Sequence, residues 1–408
     1  MKVVLFYQYY HNPDCAATCR HYTLLKHLAR WHDLTVVTTD TWKERRLTHD
    51  FPWLPDGVKE ISFHVPYSNN MGVMRRKVAF SQYMFRSLIR GADMWDADVV
   101  WGSSTPLTAA WVAERCARRI GVPWLFEVRD LWPDFPIQMG AIRNPLMIKA
   151  LKRLEKSLYK NAEHIVALSP DMASHIRSKG ASDHKITTMP NGTDFDLLDS
   201  IGCDDARALR STNRIGDRNV VLYAGTLGRA NAVPALMETA RLLRDRPDLV
   251  FVVIGHGYYS DQFLELAKSQ ENLLVLPMQP RPTTLTWFKL ASLSLVTFAD
   301  IPVLSANSPA KLFDSLGAGT PVIVTNPGWM ERFVSDTGTG WFVSPESPQL
   351  LSNRILSLFD QPEILKSAGL RAEEIARDRF DRVEQAAELD RIFRKIVSEG
   401  TGKTHFSV

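Results

Sequence analysis

The chain has 408 residues, 45% of them apolar and 23% charged, with a formal net charge of +4. These values exclude a disordered chain and suit a globular protein of two or three domains. Residues 1–190 hold 26 Lys and Arg against 18 Asp and Glu, whereas residues 191–408 hold 23 against 27. The first half is therefore expected to face an anionic surface, either nucleic acid or lipid.

Cysteine usage and hydropathy favour a cytoplasmic protein. The four cysteines, Cys15, Cys19, Cys116 and Cys203, are too few for a disulfide framework and lack the companions of a zinc site. The apolar start at 2–7 is too short for a signal peptide and is predicted to be a strand. No run reaches the roughly 18 apolar residues of a membrane span, so any membrane contact is expected to be peripheral.

Strands and helices alternate through both halves. Strands are predicted at 2–7, 34–38, 98–101, 122–127 and 164–168, with helices at 16–30, 106–120 and 144–161. After a polar linker near 190–218, strands follow at 220–224, 250–254, 273–276 and 293–296, with helices at 231–244 and 363–398. This alternation predicts two parallel, doubly wound sheets. A ligand is expected in the cleft between them, beyond the carboxyl ends of the strands.

The segment 307–324 carries the clearest ligand signal. Ser308 is predicted to cap a helix that begins at Pro309 and ends at glycine before the strand 321–324. A helix N-terminus attracts anions, and Lys311 and Asp314 are spaced to face one ligand. A cation for phosphate and a carboxylate for sugar hydroxyls indicate a nucleotide-sugar pocket. The alternative is an ordinary capped helix.

Two glycine loops follow strands of the same half. Gly225 to Arg229 comes after the strand 220–224, and Gly255-His256-Gly257 comes after 250–254. Glycine permits close backbone approach, and Thr226 and Arg229 are donors suited to phosphate. Each loop alone is also compatible with a simple turn.

In the first half, the segment 127–134 places charge at the end of a strand. Arg129 and Asp130 are predicted to face the cleft, or alternatively to form a buried structural pair. The small residues of the loop after the first strand, Ala16, Ala17 and Thr18, would let a ligand approach the backbone.

Residues 71–90 form a basic amphipathic pattern. Met74, Val78, Phe85 and Ile89 fall near one helical face, and five Lys and Arg side chains flank or oppose it. This pattern predicts a peripheral contact with anionic lipid. The alternative is a solvated helix that packs by its apolar side. The predicted helix at 144–160 adds further positive charge.

Three short motifs are interpreted as coincidental. Asp96-Ala97-Asp98 and Asp194-Phe195-Asp196 match a metal-binding pattern but lead into a strand and end a turn. Gly402-Lys403-Thr404 lacks the strand and helix of a phosphate loop.

The order of these motifs resembles retaining glycosyltransferase family 4, which has the GT-B fold, and within it the branch with fucosamine transferases of bacterial polysaccharide assembly. The resembling segments are 126–133, 167–170, 189–194, 223–229, 254–257 and 307–324. The resemblance implies an acceptor-side domain at 1–195, a nucleotide-sugar-binding domain at 196–375, and a helix with tail at 376–408 that crosses back to the first domain.

The resemblance also implies the reaction. An N-acetylated amino sugar or hexose would move, with retention, from a UDP-linked donor to a lipid-linked or oligosaccharide acceptor of a lipopolysaccharide or capsule. No metal, other cofactor or nucleic acid is expected, and the protein would lie on the inner face of the cell membrane.

Residue roles follow by position. The family's Glu-x7-Glu pattern places Asp314 at the ribose hydroxyls, but its first glutamate is replaced by Ala306. The catalytic residues implied are Arg229 and Lys311, as a diphosphate clamp, with Arg129 and Asp130. The donor-binding residues implied are Gly225, Thr226, Asn231, Gly255, Gly257, Asn307, Ser308, Pro309 and Asp314. The acceptor-side residues implied are Ala16, Ala17 and Thr18.

Two other functions stay open from the sequence. Loss of glutamate at Ala306 is compatible with a catalytically silent GT-B protein that binds nucleotide sugar or scaffolds an assembly complex. A nucleotide-sugar epimerase has a similar architecture, although the segments 127–133 and 307–319 resemble transferases more closely.

Overall fold

The computed structural model describes residues 1–67, 71–90, 96–345 and 347–401 of the chain. It consists of two lobes, each built on a parallel sheet with helices on both faces. The predicted fold class is therefore confirmed. Among the helices of these residues, none combines the length and apolar content needed to cross a bilayer.

The first lobe contains a seven-stranded sheet. Its strands are β1 Lys2–Phe6, β2 Asp33–Thr39, β3 Val58–Phe63, β4 Val99–Ser103, β5 Trp124–Val128, β6 His164–Ala167 and β7 Ile186–Thr188. They lie in the order β3-β2-β1-β4-β5-β6-β7, and every pair is parallel. The helices are α1 Arg20–Leu28, α2 Val73–Arg90, α3 Leu107–Ile120, α4 Asp134–Gln138, α5 Pro145–Asn161 and α6 Pro170–Ser178.

The second lobe repeats this plan with six strands. These are β8 Asn219–Ala224, β9 Leu249–Ile254, β10 Leu273–Leu276, β11 Leu293–Val296, β12 Val322–Val324 and β13 Gly340–Phe342, in the order β10-β9-β8-β11-β12-β13. The connecting helices are α7 Phe195–Asp199, α8 Cys203–Thr212, α9 Val233–Leu242, α10 Ser260–Ala267, α11 Arg281–Leu290, α12 Ala310–Gly317, α13 Trp329–Thr337 and α14 Pro348–Phe359. Every residue of β9 is buried, as expected for a parallel strand covered on both faces.

The order of strands reverses direction at one point in each sheet. In the first sheet this point lies between β1 and β4, and in the second between β8 and β11. The connections leave opposite faces there, so a crevice opens at the carboxyl ends of these strands. The loops after β1 and β8 border the two crevices.

The predicted C-terminal helix at 363–398 is two helices, α15 Pro362–Arg379 and α16 Arg382–Thr401. The break occurs where the Thr193 amide donates to the Phe380 carbonyl at 2.8 Å. Beyond it, α16 packs on α1 of the first lobe, with the Arg382 guanidinium 3.2 Å from the Thr23 hydroxyl. A helical period alone could not reveal this break, because the contact that produces it comes from residue 193.

Other local features differ from the predictions. The helix predicted at 16–30 begins only at Arg20, which leaves 16–18 in a loop. Residues 190–218, predicted to be a polar linker, contain the short helices α7 and α8. Strand β3 was missed, because most of its residues are only partly buried or exposed, including a lysine and a glutamate. The motif at 402–404 lies outside the described residues.

Candidate nucleotide-sugar site

A cleft of about 340 Å³ opens where the two crevices face each other. It is bordered by the loop after β1, by the loops after β8 to β11, and by the start of α12. Its lining residues are Ala16, Ala17, Thr18, Ala224, Gly225, Thr226, Asn231, Ile254, Gly255, His256, Met278, Gln279, Arg281, Thr284, Phe288, Phe298, Pro309, Ala310, Lys311 and Asp314.

Two glycine loops form one wall of the cleft by running in direct backbone contact. The Gly225 amide donates to the Ile254 carbonyl at 2.9 Å, and the Leu227 amide donates to the His256 carbonyl at 3.1 Å. A Cβ at Gly255 would lie 1.9 Å from the Gly225 carbonyl oxygen, and one at Gly257 would lie 2.6 Å from the Leu227 oxygen. Both positions therefore require glycine for the loops to approach. Gly257 shapes this wall but does not line the cleft.

Lys311 supplies a shielded cation. The residue is half-buried, but its Nζ is buried and has no hydrogen-bond partner among the described residues. The ammonium lies 4.2 Å from the ring centroid of Tyr223 and 5.6 Å from that of Phe298. Burial lowers the pKa of Lys311 to about 7. Aromatic faces compensate only part of the lost hydration, so this site favours an anion.

The N-terminus of α12 opens beside this ammonium. The helix begins at Ala310, one residue later than predicted, and Pro309 rather than Ser308 is the residue before it. Among the described residues, no side chain caps the helix. The Leu312 amide donates to the Pro309 carbonyl at 3.1 Å, whereas the amides of Ala310 and Lys311 lie too early in the helix to have a partner within it. The partial positive charge of the helix end therefore adds to that of Lys311.

Ser308 and Asn307 lie outside the cleft lining, where they join the lobes and neighbouring segments. The Asn191 amide donates to the Ser308 hydroxyl at 3.2 Å, and its side chain donates to the Ser308 carbonyl at 2.6 Å. The Asn307 carbonyl accepts from the Trp329 indole at 2.8 Å. Direct contact of these two residues with a donor stays a prediction.

Asp314 lines the cleft and forms an ion pair with Arg281. No sequence pattern had indicated a role for Arg281. The two side chains are buried and form a two-pronged ion pair, in which Nη1 of Arg281 lies 2.7 Å from Oδ2 of Asp314 and Nη2 contacts Oδ1. The Arg281 amide also donates to the Pro13 carbonyl of the first lobe at 2.9 Å. Arg281 therefore fixes Asp314 and joins the lobes at the cleft.

Thr226 and Asn231 line the cleft, but Arg229 does not. The Asn231 side-chain amide donates to the Thr226 carbonyl at 3.0 Å, which braces the loop. The guanidinium of Arg229 is exposed and lies 4.9 Å from the ring centroid of Tyr258. The role of Arg229 at a diphosphate stays a prediction.

Arg129 and Asp130 also lie outside the cleft lining. An Arg129 Nη contacts the Tyr7 hydroxyl, and its guanidinium lies 5.1 Å from the Tyr7 ring centroid. Asp130 accepts from the Thr105 hydroxyl at 2.7 Å. The alternative of a buried Arg129–Asp130 pair is not realised, since the ion pairs of the described residues do not include it.

Beneath Arg129 lies a buried network that the sequence analysis did not assign. Glu127 accepts from Arg20 at 2.9 Å and from the Ser103 hydroxyl at 2.7 Å, and lies 2.7 Å from His21. Burial raises the pKa of Glu127, but His21 and Arg20 outweigh this effect and hold that pKa well below its usual range. Arg20 also donates to the Pro190 carbonyl at 2.7 Å and to Gln385 at 3.0 Å. The network therefore fixes the junction between the lobes.

The acidic and histidine clusters of the described residues lie away from the cleft. One comprises Asp40, Glu44 and His64, and the other comprises Asp134, Glu155 and His175. In the second cluster, Lys152 and Lys179 approach Asp134 to 3.5 and 3.7 Å. These lysines place positive charge beside the carboxylates of this cluster.

Comparisons with known proteins agree with this architecture. Residues 20–192 match the family model described as "Glycosyl transferase 4-like domain", and residues 205–375 match that described as "Glycosyl transferases group 1".

Two curated relatives and one solved structure are similar over much of the chain. WbjE of Pseudomonas aeruginosa, named as a glycosyltransferase, is 22% identical over 311 residues, or 74% of this chain and 77% of WbjE. WcaI of Escherichia coli K12, named as a colanic acid biosynthesis glycosyl transferase, is 23% identical over 266 residues, or 63% of this chain and 65% of WcaI. The structure of Anabaena HepE in complex with UDP and glucose superposes with a TM-score of 0.69 at 16% identity, covering 97% of this chain and 100% of HepE.

Proposed function

Because this chain belongs to the family 4 type of glycosyltransferases with the GT-B fold, we propose that it transfers a sugar, with retention, from a UDP-linked donor to a lipid-linked or oligosaccharide acceptor. The observation that carries the proposal is the buried ammonium of Lys311, which lines the cleft and has no hydrogen-bond partner in the part of the chain that the structure describes. A buried charge is stable only when it is compensated, and a diphosphate would supply that compensation.

Lys311 and the start of α12 would hold the diphosphate of the donor. Negative charge grows on the leaving diphosphate as the bond to the anomeric carbon breaks. A cation and a helix N-terminus aimed at these oxygens stabilise the transition state more than the ground state. Arg229 remains the proposed second cation, because its loop contributes Thr226 and Asn231 to the cleft wall. Its contact with exposed Tyr258 is weak enough to be exchanged for a phosphate contact.

Asp314 would bind the ribose. Each of its carboxylate oxygens accepts from Arg281 and retains capacity for another hydrogen bond. The arginine thus fixes the orientation of the carboxylate without blocking it. Met278 and Gln279, which also line the cleft and lie shortly before Arg281 in the chain, would contact the base.

The shortage of carboxylates in the cleft limits which mechanism could give retention. Among the described residues that line the cleft, Asp314 is the one carboxylate, and it is already paired. A double displacement needs a carboxylate nucleophile beside the anomeric carbon. Position 306, where the family pattern has its first glutamate, offers no nucleophile either. Ala306 is buried, and its carbonyl accepts from Ser169 at 2.6 Å. The acceptor hydroxyl would therefore attack on the face that the leaving group vacates, and its proton would pass to an oxygen of the departing diphosphate.

The acceptor would enter from the first lobe, past Ala16, Ala17 and Thr18. Arg129 and Asp130 would orient it from the loop after β5. The name of WcaI, which refers to colanic acid biosynthesis, supports a role in surface polysaccharide assembly. A lipid-linked acceptor would hold the enzyme at the inner face of the cell membrane.

Replacement of Lys311 by methionine tests the proposal. Lys311→Met should lose UDP binding by at least tenfold in titration calorimetry and lose turnover in an assay of released UDP. The matched control is Lys268→Met, which removes an exposed lysine of the same lobe and should leave both values unchanged. Wild-type UDP affinity in Lys311→Met would refute the assignment.

A further inference from the structure

Helix α2 presents a second apolar face to solvent. At about 100° per residue, the side chains of Met74, Val78, Phe85 and Ile89 fall within an arc of about 60°. We name these four residues the apolar ridge, and each is between 54% and 73% exposed. The buried face, which includes Tyr83, lies on the opposite side of the helix. A surface helix of a globular protein normally carries polar side chains on its outer face, so the ridge needs another explanation.

Cations border the ridge on both sides. On the same helical projection, Lys77 lies on one flank and Arg75 and Arg86 on the other, and all three are exposed. The α2 sequence contains five Lys and Arg and no Asp or Glu. An apolar strip between rows of cations is the pattern of a helix that lies in the headgroup region of a membrane.

The neighbouring helices extend this positive charge. Helix α3 packs against both α2 and α5, so the three form one layer on the first sheet. Together their sequences contain 13 Lys and Arg, and their two acidic residues, Glu114 and Glu155, are buried. We name these 13 side chains the cationic layer. Helix α16, which packs on α1, contains four Lys and Arg and four Asp and Glu. The excess of positive charge is therefore found in the α2–α3–α5 layer and not in α16.

We propose that the α2–α3–α5 layer docks on an anionic lipid bilayer, with the apolar ridge inserted between headgroups and the exposed cations beside it, Arg75, Lys77 and Arg86, facing lipid phosphates within the wider positive charge of the cationic layer. The proposal rests on the proposed function only in that a lipid-linked acceptor gives docking a purpose. A nucleic acid backbone would pair with the cations but leave the ridge in water. A bilayer satisfies both features of the surface.

The placement of α2 connects docking to the cleft. Phe80 of α2 contacts Trp132, in the loop after β5, with ring centroids 6.2 Å apart. That loop begins with Arg129 and Asp130, which we assign to the acceptor side. A bilayer held by α2 would therefore present a lipid-linked acceptor close to this side of the cleft.

Vesicle flotation with matched variants tests the docking surface. The probe is a phosphatidylcholine vesicle containing roughly 30% phosphatidylglycerol, compared with phosphatidylcholine alone. The flank variant, R75Q/K77Q/R86Q, removes three cations beside the ridge, and the ridge variant, F85S/I89S, removes two apolar side chains. The control, R391Q/R394Q/K395Q, removes three exposed cations of α16 and changes the net charge equally.

The wild type should float with the anionic vesicles and be released by ~0.5 M salt. The flank variant should partition roughly 100-fold less, since each cation contributes about fivefold. The ridge variant should lose binding at least tenfold, and the control should stay within about threefold of the wild type. Failure of the wild type to float, or equal losses in the flank variant and the control, would overturn the proposal.

Further measurements distinguish lipid docking from unfolding of the variants, from loss of the nucleotide site and from nucleic-acid binding. UDP titration without lipid should give wild-type affinity for the flank and ridge variants, which shows that they are folded. Loss of UDP binding by Lys311→Met with vesicle binding retained is expected. Wild-type UDP affinity in that variant would refute the nucleotide site and leave the docking surface intact. Tighter binding to duplex DNA than to anionic vesicles would overturn the choice of lipid.

Discussion

Replacing Lys311 by methionine should stabilise the protein while it removes nucleotide binding. The ammonium is buried between Tyr223 and Phe298, no described residue places an anion beside it, and burial lowers its pKa from 10.5 to about 7. Because the folded state holds this proton less tightly than the unfolded state, the wild type loses stability as the pH falls from 10.5 to 7. Methionine has a similar length, carries no charge and packs well against aromatic rings.

The size of the effect follows from the shift in pKa. At 1.36 kcal/mol per pKa unit, the charged form of Lys311 lowers the free energy of unfolding by at most about 4 kcal/mol at pH 7. The penalty falls to about 2 kcal/mol at pH 9, because the lysine is then largely neutral in the folded state. The gap in stability between Lys311→Met and the wild type should therefore shrink by about 2 kcal/mol between pH 7 and pH 9.

Urea unfolding at several pH values, followed by tryptophan fluorescence, measures this gap. Lys268→Met is the matched control, because Lys268 is exposed and its replacement should give no such gap. UDP at 100 times the wild-type Kd should narrow the gap at pH 7, since it stabilises the wild type by about 2.7 kcal/mol and Lys311→Met, which binds at least tenfold more weakly, by at most about 1.4 kcal/mol. A gap that is absent, or that does not change with pH, would refute the view of Lys311 as a desolvated ammonium.

Three other predictions follow from the cleft. UDP affinity should fall as the pH rises above 7, with an uptake of about 0.9 proton per UDP at pH 8, measured by calorimetry in buffers of different ionisation enthalpy; zero uptake would contradict a binding role for the Lys311 ammonium. Gly255→Ala should abolish UDP binding and destabilise the protein by about 3 kcal/mol in urea, because its Cβ would meet the Gly225 oxygen at 1.9 Å. Gly72→Ala should be neutral, because a Cβ at that position meets no atom of the described residues within 4 Å. Arg281→Met should lower the free energy of unfolding by about 3 kcal/mol because it leaves Asp314 buried and unpaired, and the double variant with Asp314→Leu should recover at least half of that loss without recovering UDP binding. Additive losses in the double variant would show that the two side chains do not act as a pair.

Much of the fold could be predicted from the sequence because the local periodicity of apolar residues indicates most of its strands and helices. Runs such as 250–254 are apolar on both faces, and each is followed by a loop rich in glycine or polar residues. The role of Lys311 could also be proposed from the sequence, since a lysine close behind Ser-Pro at the start of a helix is a local pattern. These features depend on residues close together in the chain.

The partners of buried charges were not predictable in this way. Asp314 was predicted to meet a sugar, but its fixed partner is Arg281, which lies in another helix and carries no local signal. The Glu127 network likewise draws on Arg20, and through it on Gln385 of the last helix. Such pairs form because strand order brings distant segments to one sheet edge.

The exposed apolar ridge of α2 also depends on both local spacing and contacts between distant segments. Residue spacing predicts an amphipathic basic helix at 71–90, because spacing alone sets which side chains share a helical face. In the folded protein, one apolar face of this helix is buried, the apolar ridge stays exposed, and α3 lies between α2 and α5. Burial depends on the surfaces that meet when the chain is folded, and those surfaces belong to segments far apart in the sequence.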